Sequence, residues 1–410
     1  MRIEAEEFKQ ALPVLQAIEA EGYRAYFVGG CIRDVLLHLP IHDVDIATSA
    51  YPSEVQHIFP KHFDVGIEHG TVMVCFEGET YEITTFRTEA DYEDFRRPSE
   101  VTFVRSLSED LLRRDFTINA MAMGTDGQIV DYFQGKEDLQ AKRLRAVGVP
   151  KERFHEDALR MMRAVRFASQ LDFHIEEQTK SAIKSCAPLL KHIAVERIET
   201  EMNKLWIGKN WKQGIREWLD LDLYQYCPQT AALYDTFEKL LENLSGQVKM
   251  PDECLPWALL YFLNGQEERT LGQFIRAWKL SNKQYEKIKS YLKALHERAA
   301  SPNGWTKEMV YRYGKEVSTC LEQFIHNQTE KGQKFADVFS AISSDQVDKV
   351  WTELAIHSRK ELAVNGYDIM KELQPEDKKQ IGYLILRAEE AVVKGQCEND
   401  RKKLLNYLKK

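Results

Sequence analysis

Tyr26-Phe-Val-Gly29-Gly30-Cys-Ile-Arg33-Asp34, followed by His42-Asp43-Val44-Asp45-Ile46, is the stretch on which the fold turns. Tyr26 to Val28 read as a strand and Cys31 to His38 as a helix, with Ile32, Val35, Leu36 and Leu39 on one side. The paired glycines leave room for an anionic group to approach the backbone at the positive end of that helix. Arg33, in its first turns, is a donor for phosphate oxygens. A second apolar strand carries Asp43 and Asp45, which alternation puts on one face, with Val44 and Ile46 pointing the other way. Their Cα atoms are expected roughly 7 Å apart, twice the strand rise. Two unpaired carboxylates in an apolar run are costly without a cation. Such a pair is suited to two Mg²⁺ ions about 3.5–4 Å apart, the geometry of in-line phosphoryl transfer. A glycine pair or an Asp-x-Asp alone is ordinarily a turn or a solvated cap. Together they point to nucleotidyl transfer.

Further motifs follow in order: Arg113-Arg114-Asp115-Phe-Thr-Ile-Asn119, Asp131-Tyr-Phe-Gln-Gly135-Lys-Glu-Asp138-Leu139, Glu156-Asp157-Ala-Leu-Arg160-Met-Met-Arg163 and Val195-Glu196-Arg197. This series, from about residue 23 to 205, resembles the class II tRNA nucleotidyltransferases of the polymerase-beta-like superfamily. These are the bacterial CCA-adding enzymes and their poly(A) polymerase relatives. The resemblance implies an α+β chain: an N-terminal nucleotidyltransferase α/β head with a mixed sheet (1–145), then an all-helical neck (146–205), body (206–340) and tRNA-binding tail (341–410). The C-terminal half carries no motif that can be placed.

Bulk properties bound the reading. The 410 residues, 43% of them apolar, suffice for two or more cores. No run of eighteen apolar residues is present, so no membrane span is expected. Seven scattered cysteines form no CxxC pair, and the acidic start Met1-Arg-Ile-Glu-Ala-Glu-Glu lacks a secretory apolar core, so a cytoplasmic location is expected. The net charge of −8 argues against a protein that coats nucleic acid. Between Lys136 and Arg166, however, basic residues outnumber acidic ones nine to five, and Arg401-Lys-Lys403 and Lys409-Lys410 repeat the excess. A basic stripe on an acidic chain suits a specific RNA contact; for the C-terminal run a solvated helix face is an equal alternative.

Strands are expected at Ala25–Val28, Val44–Ala47, Thr71–Phe76, Tyr81–Phe86, Thr102–Val104 and Ala120–Met123, with Glu77-Gly78-Glu79 as a hairpin turn. Beyond Val149-Pro150 the periodicity turns helical and stays so, with helices at Glu156–Gln170, Glu176–Cys186, Val195–Leu205, Trp211–Leu223, Ala231–Leu244, Glu267–Trp278, Asn282–Ala299 and Gly382–Val393. Gly208, Pro228, Gly246, Pro251, Pro302-Asn-Gly304 and Pro375 mark the joints.

In the catalytic reading Asp43 and Asp45 hold Mg²⁺, while Gly30 and Arg33 position a triphosphate. Glu82 is left open between a third carboxylate and a hydrogen-bonded sheet residue. Arg114 resembles the family's contact to the incoming nucleotide. Asp157 and Arg160, at i and i+3 on one helix, are neighbours; the bland alternative is a surface salt bridge worth little. As a base reader the pair has a definite logic. A carboxylate only accepts and a guanidinium only donates. Cytosine and adenine each show an amine donor beside a ring-nitrogen acceptor, whereas uracil and guanine reverse that order. Each mismatch costs on the order of 1–3 kcal/mol. One protein site therefore accepts CTP and ATP and refuses UTP and GTP. Arg163 and Arg166 continue the row and by resemblance bind nucleotide. The polar stretch from Arg87 to Pro98 resembles the loop of family members able to add the terminal A.

The expected activity is template-independent addition of C, C and A to the tRNA 3′ end from CTP and ATP, with release of pyrophosphate. The alternative within the family is an A-adding or poly(A)-adding enzyme; outside it, an RNA-binding protein with an inactive head, which intact Asp43, Asp45 and Arg33 argue against. The expected partners are tRNA, CTP and ATP, with no membrane and with a homodimer left open.

Overall fold

The computed structural model describes residues 5–89, 92–93, 97–98, 101–265, 268–375 and 377–409, with backbone alone at 89, 92–93, 97–98, 101, 268–269 and 378. The chain divides into two compact units, Met1–Tyr234 and Asp235–Lys410. Among the described residues no helix is long and apolar enough to cross a membrane.

The first unit is built on a mixed seven-stranded sheet. Its strands are β1 (Ala25–Val28), β2 (Asp45–Thr48), β3 (His62–Phe63), β4 (Thr71–Phe76), β5 (Glu79–Thr85), β10 (Met121–Met123) and β11 (Ile129–Asp131). The spatial order is β11-β10-β1-β2-β5-β4-β3, and only β2 and β5 run parallel. Positive φ at both Glu77 and Gly78 closes the β4–β5 hairpin in two residues, the twist such hairpins prefer. Helix α1 (Glu6–Ala20) seals the sheet with Phe8, Ala11, Val14, Leu15 and Ile18, all buried, and Phe8 meets Phe27 at 4.8 Å between ring centroids. Another cluster gathers Val28, Ala47, Phe86, Ala120 and Ala122 with Leu107 and Leu111 of a short helix, α4 (Leu107–Leu112).

Between Arg87 and Phe103, positions 90, 91, 94–96, 99 and 100 of the polar stretch lie outside the described residues. Its described backbone pairs as two short ladders, β6 (Arg87–Glu89) with β9 (Val101–Phe103) and β7 (Tyr92–Glu93) with β8 (Arg97–Pro98), rather than running as plain loop.

Among the described residues the helical pattern after Pro150 is interrupted by a short strand, β13 (His174–Ile175), which pairs in parallel with β12 (Arg143–Leu144). The expected helix Glu156–Gln170 is two. Helix α6 (Pro150–Glu156) stops, Asp157 is extended at φ −137° and ψ 104°, and α7 (Leu159–Leu171) begins anew. The reason is capping. Asp157 Oδ1 accepts from the Leu159 N–H at 3.0 Å and its carbonyl accepts from the Arg160 N–H at 3.0 Å, a turn Asp favours over helix interior. In the first helix of the chain's opening motif, α2 (Gly30–Leu36), Cys31 and Ile32 are the buried positions; Leu39, expected on the apolar side, is exposed.

Helix α7 is fixed from behind by α9 (Val195–Trp206) and α10 (Trp211–Asp220). The approach depends on small residues: a Cβ added at Gly214 would stand 2.7 Å from Ser169 Cβ and 3.1 Å from the Val165 carbonyl. Trp206, Trp211 and Trp218 are fully buried in this unit. The second unit is helical, from Leu255–Asn264 through Lys307–Glu330 to Arg401–Leu408. It is centred on buried Arg298, which pairs with Glu322 at 2.9 Å, while Trp305 donates to the same carboxylate. Gly214→Ala is expected to push α10 off α7 and destabilise by about 1–3 kcal/mol, read as a lower midpoint of thermal unfolding; an unchanged midpoint would show that the two helices have slack.

Candidate active site

The turn from β1 into α2 sets the floor of the site. Gly29 has φ 78° and ψ −133°, a conformation that only glycine adopts readily. A Cβ there would also lie 2.9 Å from Arg114 Nη1 and 3.6 Å from Asp45 Oδ2. Glycine is required twice over. Beyond it Arg33 grips Asp34 through two hydrogen bonds, Nε–Oδ1 at 2.8 Å and Nη2–Oδ2 at 2.9 Å, and donates to Asn119 Oδ1 at 2.7 Å.

A cleft of about 360 Å³ opens above this floor. Gly29, Gly30, Arg33, Asp45, Arg114, Asp157, Arg160 and Arg163 line it, joined by Arg113, Asp115, Asn119, Leu159, Phe167 and Arg197. Six guanidinium groups therefore face one space, and each has an acidic partner. Arg163 holds Asp115 through Nε at 2.8 Å and Nη2 at 2.5 Å. Arg160 reaches Glu156 at 2.6 Å and the Arg113 carbonyl at 2.8 Å. Arg197 holds Asp157 at 2.7 Å, so the expected Asp157–Arg160 pair on one helix is replaced by two separate pairs. Phe167 is a common platform: Arg33 and Arg163 lie 5.0 and 5.5 Å from its ring centroid, within cation–π range. Arg166 lies 3.6 Å from the same ring, but it is buried against Glu201 at 2.7 Å and lies outside the cleft lining.

Asp43 also departs from expectation. The strand starts at Asp45, and Asp43 precedes it. It lines a second, adjacent cleft of about 570 Å³ with Glu79 and Glu82. The register Ile46↔Ile83 sets Glu82 level with Asp45 on the neighbouring strand, and Glu82 is solvent-exposed. Asp45 lines both clefts. Partial withdrawal from water raises the Asp45 carboxyl above the usual carboxylate range; Arg114 opposes this and the nearby Asp43 charge adds to it. Asp115 goes the other way. Burial alone would raise it, but Arg163 and Asn119 more than offset that and hold it well below the usual range.

Two carboxylates with water and phosphate oxygens suit a hard divalent cation, which keeps several non-protein ligands. Among the described residues no three His, Cys, Asp or Glu side chains gather into a closed metal cage. An open, carboxylate-only site of this kind fits such an ion.

Asp115, Asn119 and Arg197 stood inside motifs read from the sequence, yet only the fold gives them neighbours. Phe167 is spaced like a core residue and carried no other signal.

A mixed-sheet head with adjacent aspartates, a glycine turn and an arginine-lined cleft defines a nucleotidyltransferase. Residues 25–145 match the family "Poly A polymerase head domain", 172–233 the "Probable RNA and SrmB- binding site of polymerase A", and 248–408 tRNA nucleotidyltransferase domain 2. The chain is 46% identical over 405 residues to the CCA-adding enzyme of Enterococcus faecalis, covering 98% of this chain and 96% of that one. It is likewise 46% identical to that of Ligilactobacillus salivarius, over 99% and 97% of the two chains. The crystal structure of the Bacillus stearothermophilus CCA-adding enzyme in complex with CTP matches with a TM-score of 0.86 at 38% identity, covering 99% of this chain and 97% of that one. The chain belongs to the CCA-adding enzyme family.

Arg163→Met would strand Asp115 as a buried, uncompensated carboxylate, at a cost of about 3 kcal/mol. The sign with pH follows. A carboxylate depressed in the fold adds stability above its unfolded value near 4, lost only as pH falls through its lower folded value. The variant lacks that depression, so its deficit in melting temperature should be full from pH 7 down to about pH 4 and shrink only as the pH falls further. A deficit independent of pH would mean that the pair stabilises by packing alone.

Proposed function

We propose that this chain adds C, C and A to the 3′ end of tRNA without a nucleic-acid template, using CTP and ATP and releasing pyrophosphate. The observation that carries the reading is the position of Asp45, shared by an arginine-lined cleft on one side and a carboxylate-lined cleft on the other. A triphosphate in the first and a primer end in the second would meet at this residue. The polar stretch from Arg87 to Pro98, similar to that of relatives that add the terminal A, favours inclusion of the A step.

In this reading 1–145 is the catalytic head, 146–205 the selecting neck, 206–340 the body and 341–410 a tail that contacts tRNA. Asp43 and Asp45 are the residues that would hold Mg²⁺, which when bound neutralises phosphate charge and activates the primer hydroxyl. Gly30 leaves the backbone open to the phosphates, and Arg33, Arg114 and Arg163 orient them, with Arg166 acting through Phe167. Asp157 and Arg160 read the base edge. Arg197 and Glu156 occupy only part of their hydrogen-bonding capacity: Asp157 Oδ2 keeps a lone pair beyond its bond to Arg197, and Arg160 keeps donors beyond those given to Glu156, Arg113 and Arg153. The internal partners thus hold both side chains in one orientation before a nucleotide arrives. The seven cysteines are all free thiols, in keeping with a reducing cytoplasm.

The direct test is a tRNA transcript ending before CCA, incubated with each nucleotide alone and in combination. The expected products are two C additions with CTP and a single further A with ATP; absence of CTP incorporation, with A added only to a transcript already ending in CC, would indicate an A-adding relative. Asp45→Ala is expected to abolish addition while tRNA binding persists, and Mg²⁺-dependent turnover in that variant would remove the metal assignment. For selectivity, Arg160→Ala should weaken CTP and ATP together by roughly 1.5–3 kcal/mol. Asp157→Ala should raise UTP and GTP relative to them. Relative kcat/KM for four nucleotides on one primer decides it, and unchanged discrimination in both variants would place base reading elsewhere.

A further inference from the structure

Asp110 belongs to no motif read from the sequence, yet its carboxylate accepts as many hydrogen bonds as that of Asp115 in the cleft wall. Its side chain is 1% exposed. Oδ1 accepts from Arg113 Nε at 3.0 Å, from Arg113 Nη2 at 2.7 Å and from the Arg87 backbone N–H at 3.4 Å. Oδ2 accepts from Arg114 Nη2 at 3.3 Å. Each partner leads somewhere different. Arg114 packs over Gly29 beside Asp45, and its Nε is buried without a hydrogen bond. Arg113 offers its carbonyl to Arg160. Arg87 begins β6, whose pairing with β9 forms the arm beside the site.

We propose that Asp110 is a positioning residue: one buried carboxylate aims Arg113 and Arg114 at the cleft and anchors the β6–β9 arm, so that nucleotide binding and the stability of the arm are coupled through it. This inference rests on the nucleotide reading of the cleft. Adjacent guanidinium groups repel, and only a shared anion holds both in one orientation. Solvent-exposed pairs at i+3 and i+4 contribute little, but this carboxylate is out of water, so neutralising it leaves two cations unbalanced. The coupling is reciprocal: whatever nucleotide does to the arm, the arm does to nucleotide affinity.

The experiment uses the full chain with a tRNA transcript lacking CCA and CTP as probe. In the unmodified protein, CTP should slow amide hydrogen exchange at Arg87–Thr88 and Thr102–Phe103. In Asp110→Asn, that protection should vanish and KM for CTP rise about tenfold with kcat within about threefold, after correction for the active fraction. Where Asp110→Asn does not fold, Thr102→Gly supplies the test from the other end. Thr102 lies on the arm and outside the cleft lining. Weakening its strand should raise KM for CTP by about threefold at constant kcat. Absence of CTP-dependent protection in the unmodified protein, or an unchanged KM in either folded variant, overturns the coupling. Absence of any CTP incorporation by the unmodified protein instead overturns the reading of the cleft itself.

Discussion

The bond between Asp115 and Arg163 is the contact on which the site depends. Asp115 follows the arginine pair at the end of a sheet-packed segment, and Arg163 lies one turn beyond Arg160 on α7. Two guanidinium nitrogens of Arg163 converge on one oxygen of a buried carboxylate, Oδ2, and these charge-assisted bonds tie α7 to the head. Asn119 donates to the same carboxylate and accepts from Arg33, which carries the constraint to the β1–α2 turn. Groups distant in sequence acquire one frame.

That frame explains why the residues lining the cleft are arginines and not lysines. Phe167 takes three guanidinium groups against its ring and stands edge-on to Phe116, with centroids 5.8 Å apart. A planar guanidinium can lie on an aromatic face and still donate along its edge to a carboxylate; an ammonium cannot do both. Packing and hydrogen bonding thereby fix the same atoms.

Much of this was legible in the chain. Period-two alternation and turn residues located β1, β4 and β5, and the motif series brought Gly30, Arg33, Asp45, Arg114, Asp157, Arg160 and Arg163 to one cleft. What sequence could not give was pairing. Helical spacing put Asp157 beside Arg160, but the side chain that caps a helix cannot also continue one, and the residue turned to Arg197. Asp43 missed the strand by two residues because strand limits follow ladder partners, not local composition. Arg166 continued the row by spacing, yet a helix row rotates, and the residue was carried round to Glu201. Asp110 sits in the first turn of α4, an ordinary place for an acidic residue, and carries no signal of its own in the sequence. Only tertiary packing reveals that three elements meet on it.

The near balance of charge around the cleft has a further meaning. Six arginines (33, 113, 114, 160, 163 and 197) are matched by Asp34, Asp110, Asp115, Glu156 and Asp157 as direct partners, with Asp45 beside them. An unbalanced cluster would act as a sink for whichever phosphate compound is most abundant in its surroundings. A balanced one offers a free anion little net attraction, because each phosphate oxygen must compete with a carboxylate already in place. Selectivity then begins at entry: a bare anion gains little, and only a ligand that makes further contacts in the cleft repays the exchange of partners.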